Sequence, residues 1–195
     1  MSKKNSKTTT SGLNWNEMLG LLQRLKREER IRDYMLIATG CYLGLRASDL
    51  LNLKWIDIIY RDELIITERK TGKQRSMTVN PNLREILSYC KNYLVSKGIY
   101  DEHNYLFTNR WNQPISIQYI NRRLHKIFPE YNIKVQHPST HTLRKTFGKR
   151  VWEMDGKSER ALIYLSQIFN HSNSMVTRKY IGIVQEDISN IYLGL

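Results

Sequence analysis

At 195 residues the chain is long enough for one domain with a buried core, and 41% hydrophobic with 25% charged residues excludes a disordered polypeptide. A formal charge of +13 is far from ordinary and favours a polyanionic partner, because cations that neutralise phosphates release counterions. The longest apolar run, "YMLIATGCYLGL", is too short to span a bilayer, and "MSKKNSKTTTSG" lacks the apolar segment of a secretory signal, so a cytoplasmic, nucleoid-associated protein without a membrane partner is expected.

Residues 1–12, with Lys3, Lys4 and Lys7 and no acid, are expected to form a flexible basic tail. Helical periodicity starts after Asn14, with Trp15, Met18, Leu21, Leu22 and Leu25 at steps of three and four. A second helix is expected over Ile31 to Tyr42, followed by a turn at Gly44 into "LRASDLLNLKW". Cys41 and Cys90 stand in apolar surroundings without metal-like spacing and read as buried, reduced thiols. "DIIY", "ELIITE" and "RSMTV" are short and rich in β-branched residues, which predicts three antiparallel strands joined by tight turns at "RD" and "KTGK". Pro81 opens the next helix, "NYLFTN" is a short extended piece, and Ser116 to Phe128 is helical, as is everything from Ser139 onward. The expected fold is therefore mainly α with a small three-stranded antiparallel sheet, in one domain without internal repeats.

Several fragments carry chemistry only in combination. In "HTLRKTFGKR", Leu143, Phe147, Val151 and Met154 form an apolar stripe, and His141 and Arg144 sit three apart along its flank. "GLRASDL" places Arg46 behind a glycine turn, and Asp49 three residues on is positioned to accept from its guanidinium. "ERKTGKQR" sets Lys70 and Lys73 at a hairpin tip but lacks the glycine spacing of a phosphate-binding loop. His137 and His141 stand four apart, yet Pro138 lies between them and no glutamate completes a zinc motif, so no metal site is expected. In "FNHSNSMVTRKY", Tyr180 follows His171 by nine residues, directly behind Arg178 and Lys179. On its own that tyrosine fits core filler, a stacking platform or a nucleophile.

Taken in order, Arg46, Lys70, His141, Arg144, His171 and Tyr180 resemble the catalytic set of the tyrosine recombinases, the integrases of the phage lambda type. The resemblance rests on "GLRASDL", "KTGK", "HTLR" and "FNHSNSMVTRKY" and runs from about residue 13 to 195. It implies the catalytic-domain fold of that family over residues 13–182. It also implies site-specific DNA recombination, whether integration, excision or inversion, through a 3′-phosphotyrosine intermediate, with no cofactor and no metal.

By the family's pattern Tyr180 is the nucleophile and His141 its acid/base partner. Arg46 and Arg144 clamp the phosphate, Lys70 protonates the departing 5′ oxygen, and His171 positions the phosphate, with Asp49 as support for Arg46. A phenol with a pKa of about 10 needs such cationic and imidazole neighbours to react near neutrality. Lys73, Arg122, Arg123, Lys145, Arg178 and Lys179 are expected to touch DNA backbone phosphates, where contacts position rather than specify. The implied partners are double-stranded DNA and further copies of the chain: a tetramer on paired sites, and a monomer or dimer without DNA. Val184, Ile188, Ile191, Tyr192 and Leu195 form a stripe in segment 183–195, expected to dock either on a neighbouring subunit or on its own core.

Two departures from the pattern stand out. Only 45 residues precede Arg46, where relatives usually carry a separate DNA-clamping domain, so a naturally minimal enzyme and a fragment both fit. "FNHSNS" also replaces the more usual "LGHSS", with the imidazole kept. A type IB topoisomerase-like nicking enzyme, or a non-catalytic DNA-binding regulator that retains the fold, are the rival readings.

Overall fold

The computed structural model describes residues 10–183 and 192–194. In chain order the elements are α1 (Trp15–Arg27), α2 (Ile31–Leu43), α3 (Ala47–Leu50), α4 (Trp55–Ile58), β1 (Glu63–Thr67), β2 (Gln74–Thr78), α5 (Pro81–Ser96), α6 (Ile117–Glu130), α7 (Thr140–Met154), α8 (Glu159–Phe169) and α9 (Ser174–Ile181). α2 is apolar nearly all round because it is the central post of the molecule, with α1, α5 and α7 packed about it. α1 buries only Met18, Leu21, Leu22 and Leu25, the stripe set by its sequence spacing. Its start is fixed by Asn14, whose side chain accepts from the Asn16 amide at 2.9 Å.

The sheet has two strands rather than the three expected. β1 and β2 pair antiparallel from Glu63↔Thr78 to Thr67↔Gln74, and only Leu64 along β1 is fully buried. "DIIY" belongs instead to the end of α4 and the turn after it. Trp55 and Ile58 are both buried at a spacing of three, and the Asp57 carboxylate accepts from the Lys54 amide at 2.8 Å, closing a single helical turn. A segment this short shows no periodicity that separates turn from strand, so β-branched content misled the expectation. The apolar stripe of α7 also ends early, since Met154 is exposed.

Two hydrophobic clusters organise the chain. The larger joins α1 to α6 and reaches Leu143 of α7. The smaller lies beneath the C-terminal half of α7 and consists of Trp152, Ala161, Leu162, Leu165, Phe169, Ile181 and Ile183. Cys41 and Cys90 are free and buried. No helix among the described residues is long and apolar enough to cross a membrane. Of segment 183–195, Ile183 packs into the smaller cluster and Tyr192 is exposed, while Val184, Ile188, Ile191 and Leu195 lie outside the described residues.

Candidate active site

The seam between the two clusters holds most of the residues singled out in the sequence. α2 ends at Gly44 in the left-handed conformation (φ 57°), which turns the chain sharply enough to aim Arg46 at the end of α8. Arg144, on the second turn of α7, is 4% exposed and donates from Nη1 to the Gly44 carbonyl. Its Nη2 donates to the Phe169 carbonyl at 3.1 Å, and Arg46 Nη2 donates to the same oxygen at 2.9 Å. Two guanidiniums thus converge on one carbonyl at the end of α8. Burial first, with Arg46 adding like-charge repulsion, pulls Arg144 down to about 10. A pair of crowded, desolvated cations is a strong receptor for an anion.

Arg46 is braced by Glu68, not by Asp49. Arg46 Nη1 lies 2.6 Å from Glu68 Oε2, in an ion pair whose angle makes no hydrogen bond. Glu68 is 1% exposed and also accepts from Arg75 Nη1 at 3.0 Å and from the Thr71 hydroxyl at 2.7 Å. Burial alone would raise this carboxyl, but the hydrogen bonds from Thr71 and Arg75 and the charge of Arg46 outweigh it and hold the pKa at about 2. Asp49, also buried, accepts from the Arg69 amide at 3.0 Å and so anchors the hairpin. The correction has a simple cause: Arg46 caps α3 in an extended conformation (φ −67°, ψ 151°), so it is not on the helical face that Asp49 occupies. Lys70 and Lys73 are exposed in the loop between the strands, beyond the Glu68–Arg46 tie.

Asn170, left-handed at φ 53°, ends α8 and turns the chain so that His171 faces the seam. His171 Nδ1 lies 2.9 Å from the buried Thr177 hydroxyl, which fixes the ring. One turn later on α9, Tyr180 packs edge-on against Phe169 (ring centroids 5.6 Å apart) and His171 (5.1 Å). Tyr180 Oη lies 3.1 Å from Nδ1 of His141 in the same chain. Burial raises the phenol's pKa, opposed by Arg144 and Arg46. Both imidazoles are shifted down, first by burial and then by cations: Arg144 and Lys145 at His141, Arg144 and Arg46 at His171. A neutral His141 beside a protonated Tyr180 is a resting acid/base pair.

α9 approaches α7 over Gly148, where an added Cβ would come within 2.7 Å of Ile181 Cγ2 and 3.0 Å of the Phe169 ring. Gly148→Ala is therefore expected to cost about 1–3 kcal/mol in urea unfolding. An unchanged midpoint would mean that α9 yields freely.

The expected phosphate-touching cations divide into two groups. Lys73, Arg122 and Lys179 are exposed. Three others have internal partners instead. Arg123 binds Asp33 through Nε at 2.8 Å, Arg178 pairs with Glu159, and Lys145 is buried with Nζ 2.6 Å from the Thr10 carbonyl. Spacing along a helix reveals a basic face but not an acid arriving from another element. The sequence reading missed Glu68; an acid flanked by strand residues and directly preceding "RKTGK" was its only signal.

The chain also matches known proteins. The family model described as the phage integrase family matches residues 12–186. The chain belongs to that family. A probable integrase/recombinase of Bacillus subtilis, YoeC, is 34% identical over 163 residues, covering 83% of each chain. A tyrosine recombinase of Agathobacter rectalis is 26% identical over 167 residues, 84% of this chain but 52% of the relative. The crystal structure of XerH site-specific recombinase bound to palindromic difH substrate, a post-cleavage complex, superposes with a TM-score of 0.70 at 19% identity. It covers 98% of this chain and 56% of that one. Apart from YoeC, then, this chain spans about half the length of these relatives. The mostly helical fold with a small antiparallel sheet is that of tyrosine recombinase catalytic domains.

Proposed function

We propose that this chain carries out site-specific DNA recombination, cleaving and rejoining strands through a 3′-phosphotyrosine at Tyr180. The observation that carries the reading is the Tyr180 hydroxyl, 3.1 Å from His141 Nδ1, at the seam where Arg46 and Arg144 meet on the Phe169 carbonyl. A phosphodiester held at that seam brings its non-bridging oxygens to both guanidiniums, which stabilise the charge that grows as phosphorus becomes pentacoordinate. The Tyr180 oxygen forms the new P–O bond as its proton passes to His141. The bond to the 5′ oxygen breaks, Lys70 supplies that oxygen's proton, and His171 donates to the phosphate.

One phosphodiester replaces another, so no external energy source enters. Attack by a partner strand's 5′ hydroxyl runs the same step backwards. The arginines supply the positive charge that a divalent metal provides in other phosphoryl-transfer sites. Double-stranded DNA is the substrate, the formal charge of +13 favours it, and the assembled state is a tetramer on paired sites.

The test is covalent trapping. A nicked suicide duplex carrying inverted repeats from around the gene is incubated with the protein, and the adduct is digested and mapped. An oligonucleotide on the Tyr180 peptide is the expected result. No adduct on a duplex that the protein binds specifically would favour a DNA-binding regulator. Relaxation of supercoiled DNA without exchange between sites would favour a topoisomerase-like enzyme.

A further inference from the structure

Residues Thr10 to Leu13 lie as a strap across the first half of α7. Thr10 Oγ1 is 2.6 Å from Thr142 Oγ1, and the Leu13 amide donates to Thr146 Oγ1 at 2.9 Å. Thr142, Lys145 and Thr146, at steps of three and one, form a single helix face under the strap. Between the two ends Gly12 rests on the α7 backbone. A Cβ there would stand 2.8 Å from Lys145 C and 2.9 Å from Thr146 N, atoms that cannot yield. The strap therefore has one fitted position.

Lys145 links that strap to the nucleophile. It is 7% exposed, and burial pulls its pKa down with no carboxylate acting against it among the described residues. On one side Nζ donates to the Thr10 carbonyl at 2.6 Å; on the other it stands 5.1 Å from the centroid of the Tyr180 ring. A buried ammonium caught between one carbonyl and one aromatic face has little freedom to move.

We propose that Lys145 is a positioning residue for strand cleavage: the N-terminal strap fixes its ammonium against the Tyr180 ring, and that ammonium keeps the phenol seated beside His141. The inference rests on the recombinase reading above. It adds an electrostatic consequence. The charged and titratable groups facing His141 are Tyr180 from α9 and Arg144 and Lys145 from α7, and after burial the two cations hold the imidazole uncharged. Of these groups, Lys145 is the one tied to the strap.

The experiment uses the full chain with Lys145→Met, Lys145→Arg and Gly12→Ala on the suicide duplex. In parallel, His141 is titrated by NMR without DNA, its resonance assigned by its loss in His141→Asn. Lys145→Met and Gly12→Ala are each expected to slow adduct formation roughly five- to tenfold at unchanged DNA affinity. Both are expected to move the His141 titration upward, while Lys145→Arg leaves it in place. Wild-type rates with an unmoved titration would overturn the inference. So would loss of stability with an unmoved titration, which is what a purely structural lysine gives. If Lys145→Met does not fold, Gly12→Ala decides by the same two readouts. Absence of any adduct from the wild type would instead remove the recombinase reading, and the titration would still report whether strap and site are coupled.

Discussion

Tyr180→Phe is expected to bind DNA as the wild type does and to form no covalent adduct. The substitution deletes one oxygen and leaves the ring packed edge-on against Phe169 and His171, so α9 keeps its seat on α8. The lost contact is a single hydrogen bond to the His141 imidazole, and the unfolding free energy should move by less than about 1 kcal/mol. Affinity should hold because the guanidiniums and exposed lysines that attract phosphate are untouched. The rate of adduct formation should fall by roughly 10⁶-fold, the scale seen when a nucleophile that acts as part of a unit is removed. Gel-shift affinity and trapping on one duplex measure both halves together. An adduct formed at the wild-type rate would mean that another side chain attacks the phosphate and that Tyr180 only packs.

Under the proposed function, the geometry would keep the resting site from reacting prematurely. Burial keeps the Tyr180 phenol protonated against the pull of Arg144 and Arg46, and His141 waits uncharged beside it. On that proposal, a bound phosphodiester would change the balance by engaging the arginines and placing an electrophile before the oxygen. Reactivity is thereby linked to occupancy, which suits an enzyme whose nucleophile would otherwise gain nothing from ionising in water.

Much of this arrangement was legible in the sequence because helices carry it. Spacings of three and four revealed α1 and the first part of α7, Pro81 marked the start of α5, and the expected Ile31–Tyr42 and Ser116–Phe128 helices fall within two residues of α2 and α6 at either end. The order of Arg46, His141, Arg144, His171 and Tyr180 pointed to one seam across elements that no local pattern connects, while Lys70 stands exposed in the loop between the strands. What failed were inferences from short segments and from neighbouring charges. A single helical turn at Trp55–Ile58 has no period to read, so its isoleucines passed for a strand. Asp49 was paired with Arg46 by proximity in sequence, whereas an extended cap conformation at Arg46 sends its side chain to Glu68 on the hairpin. Arg123 and Lys145 looked like surface cations because Asp33 and the Thr10 carbonyl come from parts of the chain more than 80 residues away. Long-range satisfaction of charge is set by packing, and local spacing carries no trace of it.

The same blind spot makes Glu68 the most informative residue to change. Glu68→Gln leaves the shape and removes the charge that faces both Arg46 and Arg75, so two guanidiniums at 19% side-chain exposure lose their counter-ion. Breaking a buried pair from one side leaves uncompensated charge, and a loss of about 3 kcal/mol at pH 6 is expected in urea unfolding. The pH dependence identifies the cause. A carboxyl at about 2 in the folded chain, against an ordinary 4.5, stabilises the fold fully above pH 4.5 and loses that contribution as pH falls through 2. The gap between wild type and Glu68→Gln should therefore shrink to roughly 1–2 kcal/mol at pH 3. A gap of the same size at both pH values would trace it to packing. Cleavage should fall as well, roughly 10- to 100-fold, because an unbraced Arg46 no longer meets the phosphate in one orientation. Glu68→Asp separates the two effects: it keeps the charge but shortens the reach to Arg46, so it should recover more of the stability than of the cleavage rate.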